Sequence, residues 1–152
     1  NVQVWKDTEF IVMVIGGPNQ RTDFHDDPIE EVFFQLEGDM VLRIVEDGKL
    51  KDIPIREGEM LMLPPHVPHS PQRPAGSIGM VIERVRPEGM LEAFEWYCES
   101  CGQRHHRREV QVRNIETDMP PVFDEYYDSE DLRRCGNCGH LNPGRPPKAA
   151  AG

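Results

Sequence analysis

The chain is a train of short apolar runs, each closed within a few positions by glycine or proline. Residues 10–15 stop at Gly16, Gly17 and Pro18, and residues 32–36 stop at the turn Glu37, Gly38, Asp39. Residues 40–45 lead into Glu46, Asp47 and Gly48, where Asp-Gly is a strong hairpin signal. Residues 51–55 read as an edge strand, because Pro54 has no N–H to give to a ladder. Residues 60–63 end at Pro64 and Pro65, and residues 78–85 form one more run. Runs this short cannot make helices of useful length, so the expectation is an all-β barrel or sandwich. The 13 glycines and 14 prolines suit such a turn-rich chain.

After Pro87 the pattern changes. Cys98 and Cys101 open one knuckle, and Cys135 and Cys138 a second, each pair followed directly by glycine. Four thiolates at this spacing make a tetrahedral metal clip, and a filled sphere leaves nothing open for catalysis, so the site reads as structural. A zinc ribbon and a rubredoxin-type iron site use the same ligands. His105, His106 and His140 are expected at the surface, residues 109–115 as a short strand, and residues 122–132 as a helix. The implied division is a barrel over 1–92, a four-cysteine extension over 93–142, and a disordered tail over 143–152.

With 17 Lys and Arg against 27 Asp and Glu, the 152-residue chain carries a net charge of -10, which disfavours nucleic-acid phosphates as partners. No apolar run approaches the ~18 residues of a membrane span, and no signal peptide is visible. The expected location is the cytoplasm, where C-x-x-C pairs hold metal in preference to disulfides.

The chemistry is concentrated in two stretches. Arg21, Asp23 and His25 follow one another at period two, so an extended backbone turns all three one way, and Glu31 follows. His69 lies in a proline-rich turn with Arg73 four residues on. Two imidazoles and one carboxylate leave positions open on a divalent metal. The plainer alternative is an acidic surface loop and a separate turn. Glu83 shares a strand face with Val81 and Val85, so it is either an exposed edge charge or a carboxylate buried for proton transfer.

The turns fix a frame for these residues. His25, Asp27 and Glu31, with Gly38 beyond, and then Gly58, Pro64 and His69, are similar to the paired motifs of the cupin superfamily. Asp27 stands where the motif has a second histidine, His66 where it has glycine, and Arg73 where it has asparagine. The segments 21–31, 63–74 and 81–87, with the two cysteine knuckles, resemble the bacterial 3-hydroxyanthranilate 3,4-dioxygenases across residues 1 to 145. The resemblance implies a cupin jelly-roll barrel that opens an aromatic ring with Fe(II) and dioxygen, feeding quinolinate and NAD synthesis. It implies His25, Glu31 and His69 as iron ligands, Arg21 and Arg73 as anchors for the substrate carboxylate, and Glu83 at the ring amine and hydroxyl. It also implies Asn1 as a pocket residue, iron in preference to zinc on the four cysteines, a homodimer, and a further segment ahead of Asn1.

Two other readings fit the same residues. One is a cupin oxygenase for a related carboxylated aromatic; the other is a non-enzymatic cupin sensor whose knuckle meets a partner.

Overall fold

The structure, a computed structural model, describes residues 2–5, 8–19 and 21–145. Asn1, named above as a pocket residue, and 146–152 of the expected tail lie outside the described residues.

Among the described residues, eleven strands form two antiparallel sheets that face each other across an apolar core, the jelly-roll cupin arrangement. The strands are β1 (Val2–Gln3), β2 (Phe10–Gly16), β3 (Phe24–Asp26), β4 (Glu31–Glu37), β5 (Met40–Glu46), β6 (Lys49–Ile55), β7 (Met60–Leu63), β8 (His69–Gln72), β9 (Ile78–Arg84), β10 (Glu92–Tyr97) and β11 (Arg104–Val110). One sheet runs β1-β2-β9-β4-β7 and the other β11-β10-β3-β8-β5-β6. The β5–β6 hairpin turns at Asp47 and Gly48 with φ of 51° and 71°, the left-handed pair that suits a two-residue turn between twisted strands. β6 is the edge strand that Pro54 requires.

The first sheet is apolar on its outer face as well as over the part of its inner face that packs on the core. Inward, Met13, Phe33, Leu63 and Val81 meet Leu42, Ile44 and Ile55 of the second sheet. Burying a side chain such as the fully covered Leu42 contributes about 1.5–3 kcal/mol. Outward, the register lines up Val2, Val14, Met80, Phe34 and Met60 in one row. Val12, Ile82, Val32 and Met62 make the next. A sheet with one face in water normally alternates apolar with polar, and this one does not.

Several elements differ from the sequence reading. His69 is in strand β8, not a turn, and pairs directly with His25 of β3. The strand expected at 109–115 is β11 at Arg104–Val110, set by its pairing with β10. Residues beyond it leave the sheet because the Asp118 side chain accepts from the backbone N–H groups of Arg113 and Asn114. The single expected helix is two: α1 (Met119–Tyr127) and α2 (Glu130–Arg133), divided where Ser129 caps α2 by accepting from Leu132 N–H. α1 lays Val122, Tyr126 and Tyr127 on Phe94, Trp96 and Val112, with the Trp96 and Tyr126 rings stacked at 4.2 Å. The expected boundary at 92/93 falls inside β10, which pairs with β3 on one side and β11 on the other. The second sheet therefore runs continuously from the barrel into the extension.

Among the described residues, no helix is long and apolar enough to cross a membrane.

Candidate active site

Two facing rows of side chains build the site. In the first sheet, Glu31 of β4 is paired with Glu83 of β9. In the second, His25 of β3 sits between Phe94 of β10 and His69 of β8. Antiparallel partners hold their Cβ atoms about 5 Å apart, so each pairing delivers neighbouring side chains to the same face. Glu31 Oε1 lies 3.2 Å from His25 Nδ1 and 3.1 Å from His69 Nε2. His69 Nδ1 sits 3.0 Å from the Val67 carbonyl oxygen, which accepts its N–H and leaves Nε2 free to face Glu31.

These spacings fit a metal ion. Ligands ~2.1 Å from a metal and at right angles to one another stand ~3 Å apart. The carboxylate oxygen between the two imidazoles, Glu31 Oε1, has no hydrogen-bond partner among the described residues although it is buried. A buried acceptor with two nitrogen atoms beside it and no donor aligned on it is a ligand position left for a cation.

Electrostatics point the same way. Against the cost of burial, the Glu31 and Glu92 carboxylates push His25 up to about 10, and the two imidazoles hold Glu31 well below the usual carboxylate range. The cluster thus retains a proton where a divalent ion would supply the positive charge.

Around it lies a buried ion network that the sequence reading did not assign. Arg86 donates through Nη1 to Glu83 at 3.0 Å, donates to Asp27, and brings Nε to 2.9 Å from Glu92. Burial raises Glu83 despite Arg86, and raises Asp27 to about 7 despite His25 and Arg86. Arg86 follows Glu83 by three residues at the strand's end, and Glu92 alternates with Phe94 and Trp96. That acid–aromatic alternation was the available signal.

A cavity of about 290 Å³ opens over the site, lined by Arg21, His25, Glu31, His69, Glu83 and Arg86, with apolar walls from Met13, Ile15, Phe33 and Val81. Small-molecule pockets run from ~300 to 1,000 Å³, so this one takes a small ligand. Arg21 pairs with Asp23, as the shared strand face suggested. Arg73 is elsewhere: it is buried, its Nη1 donates to Gln35 Oε1 at 3.1 Å, and it is not among the cavity-lining residues. It occupies the Gln35–Gly79 row, beyond the Phe33–Val81 row, inside the same barrel. A Cβ on residue 79 would run into the Arg73 guanidinium and Gln35 Oε1, so a larger residue there requires those side-chain ends to shift. Val85 is exposed, so the face shared by Val81 and Glu83 ends before it. His66 takes φ of 59°, the left-handed turn conformation that explains glycine at this place in the cupin motif.

The four cysteines form a second cluster. Cys98 and Cys138 sulfurs are 3.6 Å apart and those of Cys101 and Cys135 3.7 Å, far beyond a disulfide and close to the ~3.8 Å edge of a tetrahedral thiolate site. Backbone and Asn137 donors lower Cys101 to about 6. His105, His106 and His140 are half-buried instead of at the surface, and His105 reaches the Tyr126 hydroxyl at 3.0 Å. None joins the four-thiol group.

The model of the 3-hydroxyanthranilic acid dioxygenase family matches residues 1–127. The chain belongs to that family. A 3-hydroxyanthranilate 3,4-dioxygenase from Shewanella woodyi is 58% identical over 97% of this chain and 78% of its own length. One from Ruegeria pomeroyi is 55% identical over 97% of this chain and 82% of its own. Among solved structures, a cupin-2 domain containing protein from Shewanella frigidimarina is 22% identical, with a TM-score of 0.42 over 55% of this chain and 78% of that one. Membership in a dioxygenase family implies a metal cofactor, and among the described residues three groups could hold one: His25, Glu31 and His69; the four cysteines; and Asp27, Glu31 and Glu83, which share Glu31 with the first.

Proposed function

We propose that this chain is a ring-cleaving dioxygenase that converts 3-hydroxyanthranilate and dioxygen to 2-amino-3-carboxymuconate semialdehyde. The observation that carries the proposal is the convergence of two imidazoles and one carboxylate oxygen, at 3.1 and 3.2 Å, in the wall of a small cavity. His25, Glu31 and His69 would hold Fe(II). When bound there, the iron relays electrons from the aminophenol ring to dioxygen.

The protein's own groups place the ring and handle its protons. Arg21 on the cavity wall is the anchor for the carboxylate, and Arg73, which is held by Gln35 outside the cavity, would join it by turning its guanidinium inward. Burial and nearby Arg21 lower Arg73 from its ordinary value while it stays a cation, and an incoming carboxylate would offset both costs. Glu83, on the Glu31 row, takes the ring hydroxyl proton, and Arg86 fixes its orientation through a two-pronged contact. Phe33, Val81, Met13 and Ile15 keep water from the ring. The bond between the hydroxyl-bearing carbon and its unsubstituted neighbour breaks. One oxygen atom completes a carboxylate and the other an aldehyde.

The four cysteines would hold a second iron or a zinc in a structural role. The apolar first sheet supports a homodimer formed through its outer face, where Met60 and Met62 are widely exposed. Thiols spaced for a metal favour the cytoplasm.

The direct test loads apoprotein anaerobically with Fe(II), adds 3-hydroxyanthranilate and air, and follows the near-ultraviolet band of a conjugated semialdehyde. Its growth and slow decay supports the assignment. No band, with iron bound at the His25 cluster, rejects 3-hydroxyanthranilate as the substrate.

A further inference from the structure

His25 and His69 present opposite nitrogens to Glu31: Nδ1 from His25 and Nε2 from His69. For His69 the backbone explains the choice, because the Val67 carbonyl takes the Nδ1 proton. For His25 the explanation lies on β10. Glu92 Oε2 is 2.6 Å from His25 Nε2, and Phe94, two residues on along the same face, stacks on the imidazole at 5.1 Å with 13° between planes. Stacking fixes the plane of the ring, and the carboxylate fixes its rotation within that plane.

We propose that Glu92 is the positioning residue for His25, holding its Nε2–H so that Nδ1 is the nitrogen offered to the metal. This rests on the reading of His25, Glu31 and His69 as a metal centre. Glu92 is itself held in place, since its other oxygen, Oε1, is 2.9 Å from Arg86 Nε. That contact is an ion pair without good hydrogen-bond alignment, which leaves the charge of Glu92 available to His25. A carboxylate behind a metal-bound imidazole sets its tautomer and makes the free nitrogen a stronger donor. Through Arg86 the same network reaches Glu83, so the metal side and the proton-handling side of the cavity share one buried brace. Both Glu92 and Phe94 lie in β10, which continues directly into Cys98, so the strand that seats His25 also leads into the first cysteine knuckle.

The test uses Co(II) as the probe. Cobalt on thiolates gives near-ultraviolet charge-transfer bands that nitrogen and oxygen ligands lack, so the four-cysteine cluster is read there, and the His25 cluster is read by its shifted imidazole N–H signals as cobalt is added. Glu92→Ala is expected to weaken binding at the His25 cluster by ~10–100-fold. Glu92→Gln is expected to restore most of it, because the amide oxygen accepts the same N–H. In proton spectra of the cobalt protein, the wild type should show two solvent-exchangeable, strongly shifted imidazole N–H signals, and Glu92→Ala should lose one of them. Should the alanine variant not fold, Glu92→Asp keeps the charge beside Arg86 but withdraws it from His25, and is expected to weaken binding in the same direction. Unchanged cobalt affinity in a folded Glu92→Ala or Glu92→Asp variant, with both N–H signals retained, overturns the proposal. A wild type with thiolate bands but no shifted imidazole N–H signals overturns instead the reading of the metal centre on which it rests.

Discussion

The two ligand clusters of this chain solve opposite problems. The four cysteines come from two short turns, each closed by a glycine at positive φ, Gly102 at 73° and Gly139 at 76°. Within each turn the glycine N–H donates to the carbonyl of the first cysteine, so the local sequence alone shapes half of the site. The donors are all alike, and four of them would close the sphere of a metal. His25, Glu31 and His69 instead come from three strands of two different sheets, at the wall of a cavity, with one face left for a ligand. A closed cluster made by local turns is suited to holding structure, while an open one made by distant strands is suited to chemistry. The cost of the open one is a ring of buried charge that has to be braced by Arg86.

The sharpest way to break this comparison is Glu31→Ala. Turnover should fall on the order of 10³-fold or more, since loss of a ligand removes several kcal/mol of transition-state stabilisation, while elemental analysis still finds metal on the cysteines. Cys135→Ser should do the reverse. The melting temperature should drop on the order of 10 °C, because metal binding there contributes to folding, and cobalt should still bind the His25 cluster. If Cys135→Ser also empties the His25 cluster, the two sites are not separable in the way their construction suggests.

Smaller effects test the barrel interior. Arg73→Ala should raise KM about 10–100-fold with a lesser change in kcat, as expected for a lost charge-assisted anchor. An unchanged KM in a folded variant would remove Arg73 from the anchoring role. Gly79→Ala leaves the guanidinium in the chain but takes its space, and should cost about 1–3 kcal/mol of stability as well as raising KM. The smallest effect is on pH. His25, raised to about 10 in the metal-free protein, contributes stability that is fully present below its unfolded value of 6.5 and is lost as pH rises toward 10. Thermal melts of the apoprotein should therefore show a decline through that window which metal loading abolishes. A parallel decline in both forms would detach the effect from His25.

Much of the site was legible because its residues sit at fixed intervals around turns. His25, Glu31 and His69 followed from the motif frame, and the extended period of two placed Arg21 and Asp23 together. Glu92 and Arg86 were not legible as functional residues. Each looks like an ordinary surface charge until β10 is seen to pair with β3, a contact between residues 67 positions apart in the case of Glu92 and His25. Arg73 shows the same limit from the other side, since spacing put it near His69 but could not say that Gln35 would take its guanidinium.

By itself, the sequence determined the all-β class, the hairpin turns, the cysteine knuckles and the residue types of the open cluster. These depend on residue identity over a few positions, where backbone preferences and ligand chemistry are local. The tertiary structure alone decided which strands face each other, which imidazole nitrogen meets Glu31, and which charges are buried together. Those follow from register between distant strands, and a shift of a single residue would turn every one of these side chains to the opposite face of its sheet.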